Sequence, residues 1–128
     1  MTKFFNLDNP APFVSARSWI MTDLDSGEVM FAKREKEVRQ VASLTKIMTF
    51  WVISDMLTTY GINPDGCRVK ILEYCTTPQL GGTSAELLPG DTLNVTELLY
   101  GMMLPSGNDA AQNLAVYFGN LAMKLEQA

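Results

Sequence analysis

The sequence predicts an α/β fold, in which helices cluster around one central helix and two N-terminal strands belong to an antiparallel sheet. The strands are the apolar runs 18–23 and 28–32, joined by an Asp-Ser-Gly turn in which Gly27 is free to adopt a positive φ. The central helix is the strongly apolar run from Ser43 to about Tyr60. Two later segments repeat their apolar residues with the 3.6-residue helical period.

The composition is that of a globular chain with a core, and it excludes several functional classes. Of the 128 residues, 47% are hydrophobic and 19% are charged, which argues against disorder. The net charge of −4 gives no electrostatic reason to expect nucleic acid as a partner. Because the sequence contains no histidine, it cannot supply a Ser-His-Asp triad, a Cys-His pair or a histidine-bearing zinc site.

Residues 1–16 are predicted to be irregular, and residues 17–128 are predicted to form one domain. The run Asn9-Pro10-Ala11-Pro12 sustains neither a helix nor a paired strand. The same segment lacks the long apolar core of a secretory signal, and no run of about 18 apolar residues predicts a membrane span.

Between the central helix and the later helices, the sequence predicts turns and one short strand at residues 68–71. Cys67 and Cys75 flank this strand, either as free core thiols or as a small-loop disulfide. The following Gly-Gly-Thr-Ser loop has two interpretations. Gly82 and Ser84 either approach a functional site or serve chain reversal.

The central helix opens with a motif that suggests nucleophilic chemistry, Ser43-Leu44-Thr45-Lys46. Positions i and i+3 share a helix face, so the Ser43 hydroxyl and the Lys46 amine are predicted to lie on one side. Free N–H groups in a first helical turn favour a developing negative charge. A serine hydroxyl needs a base to take its proton, and a lysine can serve when its surroundings keep it neutral. The alternative is a serine that caps the helix and a solvated lysine.

The residues that follow Lys46 favour the first interpretation. Apolar side chains cover most of the circumference of the predicted helix, and a helix that is apolar nearly all round is predicted to be buried. These side chains are Ile47, Met48, Phe50, Trp51, Val52, Ile53, Met56 and Leu57. A lysine one turn into such a helix is less expected to be a plain surface residue.

A second motif, Ser106-Gly107-Asn108, lies in the loop between the two later helices, predicted at 96–104 and 109–118. The preceding proline stops the first of these helices, and the glycine supplies a bend. Asn108 or Asp109 is predicted to cap the second helix. As architecture alone, this is an ordinary helix–helix connection.

Together, the two motifs resemble the pair used by penicillin-recognising serine hydrolases. Residues 42–49 look like the nucleophile segment of the D-alanyl-D-alanine carboxypeptidases of the low-molecular-weight penicillin-binding protein type, and residues 99–111 resemble their second segment nearly residue for residue. The resemblance covers about residues 17–119. It implies a truncated β-lactamase/transpeptidase-like fold, with a helical cluster around a buried central helix and a hairpin from an incomplete antiparallel sheet.

The resemblance also implies a role for each candidate residue. Ser43 would attack the carbonyl between two D-alanines of a peptidoglycan peptide, with Lys46 as its base, and its backbone N–H would form half of an oxyanion hole. Ser106 would relay a proton to the leaving amine. Asn108 would bind the substrate amide and steady Lys46. β-Lactams would acylate the same serine, and the family uses no metal or cofactor.

The family's third motif, Lys-Thr-Gly on a later edge strand, is absent, because no lysine here precedes a threonine. That strand would bind the substrate carboxylate and supply the other oxyanion donor, whose loss typically costs about 10²–10³ in rate. The chain is therefore a fragment of a longer product, an enzyme completed by a second chain, or an inactive structural subunit of a larger assembly. The family is exported, whereas no signal is predicted here, so the compartment is left open. The incomplete sheet would leave apolar surface on the central helix for a protein partner.

Overall fold

The computed structural model describes residues 11–127 of the chain. An irregular segment is predicted for residues 1–16. Residues 1–10 lie outside the described residues, and residues 11–16 contain neither helix nor strand. The chain divides into two compact units, 1–40 and 41–128.

The first unit contains the predicted β-hairpin. Strand β1 (Trp19–Thr22) pairs antiparallel with strand β2 (Val29–Lys33). The carboxylate of Asp23 closes the connecting turn by accepting a hydrogen bond from the Ser26 N–H at 2.8 Å. Gly27 adopts a φ of +73°, a conformation that glycine reaches at little cost. The turn chemistry that predicted the hairpin is therefore the chemistry that forms it.

The second unit begins with a 3₁₀ turn, Ala42–Leu44, that leads directly into helix α1 (Thr45–Thr59). The start predicted near Ser43 agrees with this boundary, although Ser43 itself lies in the 3₁₀ turn, after Ala42 at a left-handed φ of 47°. The consequence for the motif is small. Side chains at i and i+3 eclipse in a 3₁₀ turn, so Ser43 still lies on the side of Lys46.

A short antiparallel pair follows, in which β3 (Arg68–Lys70) lies beside β4 (Thr92–Asn94). The sequence predicts β3 but not its partner β4, which is equally short at three residues. It leads into helix α2 (Val95–Met103), which starts with a reciprocal capping box. The Asn94 side chain accepts from the Glu97 N–H at 2.8 Å, and the Glu97 carboxylate accepts from the Asn94 N–H at 2.7 Å.

Helix α3 (Asn108–Glu126) is the longest element and packs against α2. The core of the second unit is apolar and joins α1, α2, α3 and β3. Its buried members are Ile53, Val69, Ile71, Val95, Leu98, Met102, Ala110, Leu114 and Phe118. Within residues 11–127, no helix combines the length and the apolar character needed to cross a membrane.

Helix α1 is largely exposed, contrary to the burial predicted from its apolar circumference. Its buried residues are Lys46 and Ile53, whereas Trp51 is 71% exposed and Met48 is 64% exposed. A helix that is apolar all round needs neighbours on every side, and in the described part of the second unit α1 contacts α2 and α3 along one face. The uncovered apolar surface agrees with the expectation for an incomplete sheet.

The two cysteines are free thiols, which confirms the first of the two alternatives. Cys75 is fully buried, and burial raises the pKa of its thiol. Cys67 Sγ lies 3.0 Å from the Tyr117 hydroxyl oxygen, and this hydrogen bond raises the pKa of Tyr117. Both thiols therefore belong to the packing between the β3 region and the helices.

The α2–α3 junction has no room for a side chain at Gly107. A Cβ atom built there would lie 2.7 Å from the Gly101 carbonyl oxygen and 2.8 Å from the Ala85 backbone nitrogen. Its φ of −63° is ordinary, so the requirement for glycine is steric and not conformational. The tight approach brings the Ser-Gly-Asn loop against the backbone of two other segments.

We expect the substitution Gly107→Ala to lower the free energy of unfolding by about 1–3 kcal/mol, the usual cost of overpacking. Gly119→Ala is the matched control, because no atom lies within 4 Å of a Cβ built at Gly119 in the middle of α3. That variant is expected to gain about 0.5–1 kcal/mol from the better helix former. Urea unfolding measures both, and equal midpoints for the two variants would contradict the steric reading of the junction.

Candidate active site

The structure brings the four predicted site residues together in the second unit. Ser43 Oγ and Ser106 Oγ lie 2.8 Å apart, within hydrogen-bond distance. Lys46 Nζ donates to Asn108 Oδ1 at 2.7 Å. Ser43, Lys46 and Asn108 all line one cleft of about 490 Å³ between the start of α1 and α3. Residues more than 60 positions apart in sequence thus form one cluster of two hydroxyls, an amine and an amide.

The position of Ser43 follows from the start of α1. The 3₁₀ turn presents its hydroxyl to the cleft, and the first N–H groups of such a turn have no carbonyl partner in a preceding turn. Lys46 lies one turn later and is only 8% exposed. Its partner is a neutral amide oxygen. The lysine predicted from the motif is therefore a buried site residue, and the solvated-lysine alternative does not describe it.

Ser106 is held in an unusual backbone conformation. Its φ is +60°, a left-handed value that is uncommon for a residue with a side chain. Thr83 fastens both sides of this turn: its hydroxyl donates to the Ser106 carbonyl oxygen at 2.7 Å, and its own carbonyl accepts from the Asn108 N–H at 2.8 Å. Residues held in sparsely populated φ regions cluster at functional sites, where the surrounding structure over-determines them.

The Asn108 side chain joins Lys46 to the Gly-Gly loop. Its Nδ2 donates to the Gly81 carbonyl oxygen at 2.8 Å, while its Oδ1 accepts from Lys46. Of the two interpretations of this loop, the structure supports the approach to a site. A Cβ atom at Gly82 would lie 2.6 Å from Asn108 Nδ2.

Asp109 follows Asn108 in the chain and is 3% exposed. Its carboxylate binds the segment that comes directly after the Gly-Gly loop. Its carboxylate accepts from the Ser84 hydroxyl at 2.7 Å and from the N–H groups of Ala85 and Leu87 at 2.8 and 3.1 Å. Burial alone raises the pKa of Asp109. The hydrogen bonds, with a further one from the Ala110 N–H, outweigh it and hold the pKa below its ordinary value of 3.8. Asp109 therefore stays ionised and fixes the loop beside the site.

The prediction that Asn108 or Asp109 caps α3 is wrong, because both side chains bind other parts of the chain. Helix α3 has Gly107 at its N-cap position, and no side chain caps it there. Asn108 and Asp109 have the residue types of good caps, but their side chains bind Lys46, the Gly-Gly loop and the segment after it. Long-range partners have displaced the local role that the sequence suggests.

The sequence does not identify Gly81 and Thr83 as residues of the candidate site, and it allows two interpretations of Gly82. The signal for them was the pair of glycines followed by two hydroxyl residues. Such a run is equally typical of a surface turn, so it does not identify a partner. Only the fold shows that the partner is the Ser-Gly-Asn turn.

A serine and a buried lysine, one turn apart at the start of a helix and both bonded to a Ser-x-Asn turn, are the motif pair of the β-lactamase/transpeptidase-like class. The structural relatives have this fold. A D-alanyl-D-alanine carboxypeptidase from Francisella tularensis matches with a TM-score of 0.77 and 30% identity, over 92% of this chain and 28% of that one. Penicillin binding protein 5 from Haemophilus influenzae matches with a TM-score of 0.76 and 27% identity, over 85% and 32%.

The chain belongs to the D-alanyl-D-alanine carboxypeptidase family, whose model matches residues 6–121. A curated relative, the D-alanyl-D-alanine carboxypeptidase DacC of Escherichia coli, is 41% identical over 110 residues, which are 84% of this chain and 28% of that protein. The chain thus spans little more than a quarter of the length of this relative. The fold class and the family predicted from the two motifs are confirmed.

Proposed function

We propose that this chain is the N-terminal part of a serine-type D-Ala-D-Ala carboxypeptidase, with residues 17–128 as a partial β-lactamase/transpeptidase-like domain. The observation that carries the proposal is the pair of contacts Ser43 to Ser106 and Lys46 to Asn108, next to a cleft that Ser43, Lys46 and Asn108 line. The substrate is a peptide that ends in D-Ala-D-Ala. β-Lactams are the second class of ligand, because they acylate the same serine.

The proposed reaction begins at Ser43. Its oxygen attacks the carbonyl carbon of the penultimate D-alanine, and its proton passes to the Lys46 amine. The bond between that carbon and the nitrogen of the last D-alanine then breaks. Ser106 relays a proton to the leaving amine, and the peptide remains as an ester on Ser43. Water hydrolyses the ester, which releases the shortened peptide and restores the serine hydroxyl.

The contacts of Lys46 support its role as the base. Its hydrogen bond to Asn108 Oδ1 holds the amine in the cleft that Ser43 also lines. The same hydrogen bond fixes the end of a flexible four-carbon side chain. Asn108 also lines the cleft and offers its amide to the substrate backbone.

The oxyanion is proposed to form beside the Ser43 N–H, at the start of the 3₁₀ turn that leads into α1. The second donor and the group that binds the substrate carboxylate correspond to the Lys-Thr-Gly strand of the family. A further part of a longer polypeptide, or a second chain, supplies them. The exposed apolar face of α1 is the surface that this part covers.

Release of free D-alanine tests the proposed reaction. The full chain is incubated with an N-acylated tripeptide that ends in D-Ala-D-Ala, and the released alanine is measured by liquid chromatography and mass spectrometry, which detects both enantiomers. The matched substrate ends in D-Ala-L-Ala and is expected to release nothing. Release from the first peptide above the level of Ser43→Ala supports the proposal. A folded chain that releases no more than this variant contradicts carboxypeptidase activity of residues 1–128 on their own, and the chain is then a non-catalytic interaction subunit or needs the Lys-Thr-Gly strand.

A further inference from the structure

We propose that Gly82 is a positioning residue of the active site. Its lack of a side chain allows the Asn108 amide to lie against the backbone of the Gly-Gly loop, and this contact decides which end of the amide faces Lys46. The kinetic consequence rests on the proposed acyl-transfer function, whereas the structural consequence stands without it.

The orientation of the Asn108 amide follows from the partner at its other end. The Gly81 carbonyl oxygen can only accept a hydrogen bond, so the amide nitrogen must face it, as it does at 2.8 Å. The amide oxygen is then turned toward Lys46, from which it accepts at 2.7 Å. A flipped amide would set two oxygens against each other at Gly81 and present donors to the lysine amine. The Gly81 carbonyl therefore keeps an acceptor in front of the base.

Gly82 is the position at which a side chain would prevent this arrangement. A Cβ atom there would lie 2.6 Å from Asn108 Nδ2, closer than real Cβ contacts allow. Gly81 has a similar backbone, with φ of +61° against +70° for Gly82, yet a Cβ atom at Gly81 would have no atom within 4 Å. Gly81 is thus favoured by its backbone conformation alone. At Gly82 the absence of a side chain also leaves room for the Asn108 amide.

The Gly-Gly loop is held in place, so it cannot move away from Asn108 to make room for a side chain at position 82. Thr83 binds the same Ser-Gly-Asn turn through two hydrogen bonds, to the Ser106 carbonyl and from the Asn108 N–H. Asp109 holds the next residues, Ser84 and Ala85. With the loop fastened on this side, the Asn108 side chain is the part that moves. Lys46 then loses an acceptor of fixed orientation.

Three full-length chains test the proposal beside the native one. The first is Gly82→Ala. The second carries D-alanine at position 82, introduced by expressed protein ligation at Cys75, so that the methyl group leaves Cα on the opposite side and suits a positive φ. The third is Gly90→Ala, a control with φ of +90° and no atom within 4 Å of its Cβ. Both L-alanine variants introduce backbone strain, but only the first meets Asn108.

The direct readout is the side-chain amide of Asn108 in ¹H–¹⁵N spectra, with its rate of hydrogen exchange. In the native chain one amide hydrogen is bonded to Gly81 and is expected to exchange slowly. We expect Gly82→Ala to shift this signal and speed its exchange. Gly90→Ala and the D-alanine chain are expected to keep the native signal, even where thermal unfolding shows the cost of strain.

The second readout is the rate of acylation by a fluorescent penicillin, which we expect Gly82→Ala to lower by about 10²-fold, the usual effect of a misplaced catalytic group. A native amide signal in folded Gly82→Ala would overturn the proposal. If the native chain is not acylated, the proposed function fails, and the amide signal alone decides the role of Gly82. If Gly82→Ala does not fold, the D-alanine chain decides: folding with the native signal supports the steric argument, and failure to fold overturns it.

Discussion

Replacing Lys46 by methionine is expected to lower the rate of acylation by penicillin by about 10²–10⁴-fold, the range that general-base catalysis contributes. Lys46 is buried, is bonded to Asn108 and lines the same cleft as Ser43, so in the proposed reaction it is the amine that takes the proton of Ser43. Methionine keeps the length and the apolar stem of the side chain and removes only the amine. The rate is followed with a fluorescent penicillin at fixed pH.

Lys70→Met is the matched control, because Lys70 lies on the exposed side of β3. We expect that variant to react at the native rate. Circular dichroism and thermal unfolding of both variants separate a lost base from a lost fold. A folded Lys46→Met chain that reacts as fast as the Lys70→Met chain would remove Lys46 from the mechanism and return it to a structural role.

The substitution Asp109→Ala is expected to lower the free energy of unfolding by about 3 kcal/mol or more. The carboxylate accepts from the Ser84 hydroxyl and from the N–H groups of Ala85 and Leu87 in partly buried contacts, and a hydrogen bond to a charged group contributes about 1.5–3 kcal/mol. Urea unfolding measures the loss. Asp55→Ala, on the exposed side of α1, is the control and is expected to change stability by less than about 0.5 kcal/mol.

The contribution of Asp109 also has a predicted pH dependence. Because folding lowers the pKa of this carboxyl below 3.8, the folded state binds its proton less readily than the unfolded state. The stabilisation is therefore fully present above the unfolded value and is lost as the pH falls through the lower, folded value. The difference in unfolding free energy between native and Asp109→Ala chains should stay constant at neutral pH and shrink below about pH 4. A difference that grows on acidification would contradict the assignment.

The parts of the fold that depend on local sequence were predictable. The hairpin follows from two apolar runs and a turn around Gly27, and the helices follow from the 3.6-residue period. The Ser43 and Lys46 pairing also survives the change from an α-helical to a 3₁₀ turn, because both geometries place i and i+3 on one side. The two motifs then carried the family assignment.

The parts that depend on distant partners were not predictable. Asn108 and Asp109 look like helix caps in the sequence, but their side chains bind residues more than 20 positions away. The Gly-Gly loop looks like a surface turn until the fold places it against Asn108. The exposure of α1 also depends on distant partners. An apolar pattern indicates that a helix is stable when buried, but it does not identify the segment that buries it.

The central claim is that Ser43 is an activated nucleophile, and intact-mass spectrometry with a fluorescent penicillin tests it most directly. The native chain is expected to gain the mass of one penicillin, with the label on the peptide that contains Ser43. Ser43→Ala is expected to gain none, while remaining folded by circular dichroism. An unlabelled native chain that is folded, or a label that persists in Ser43→Ala, would contradict the account.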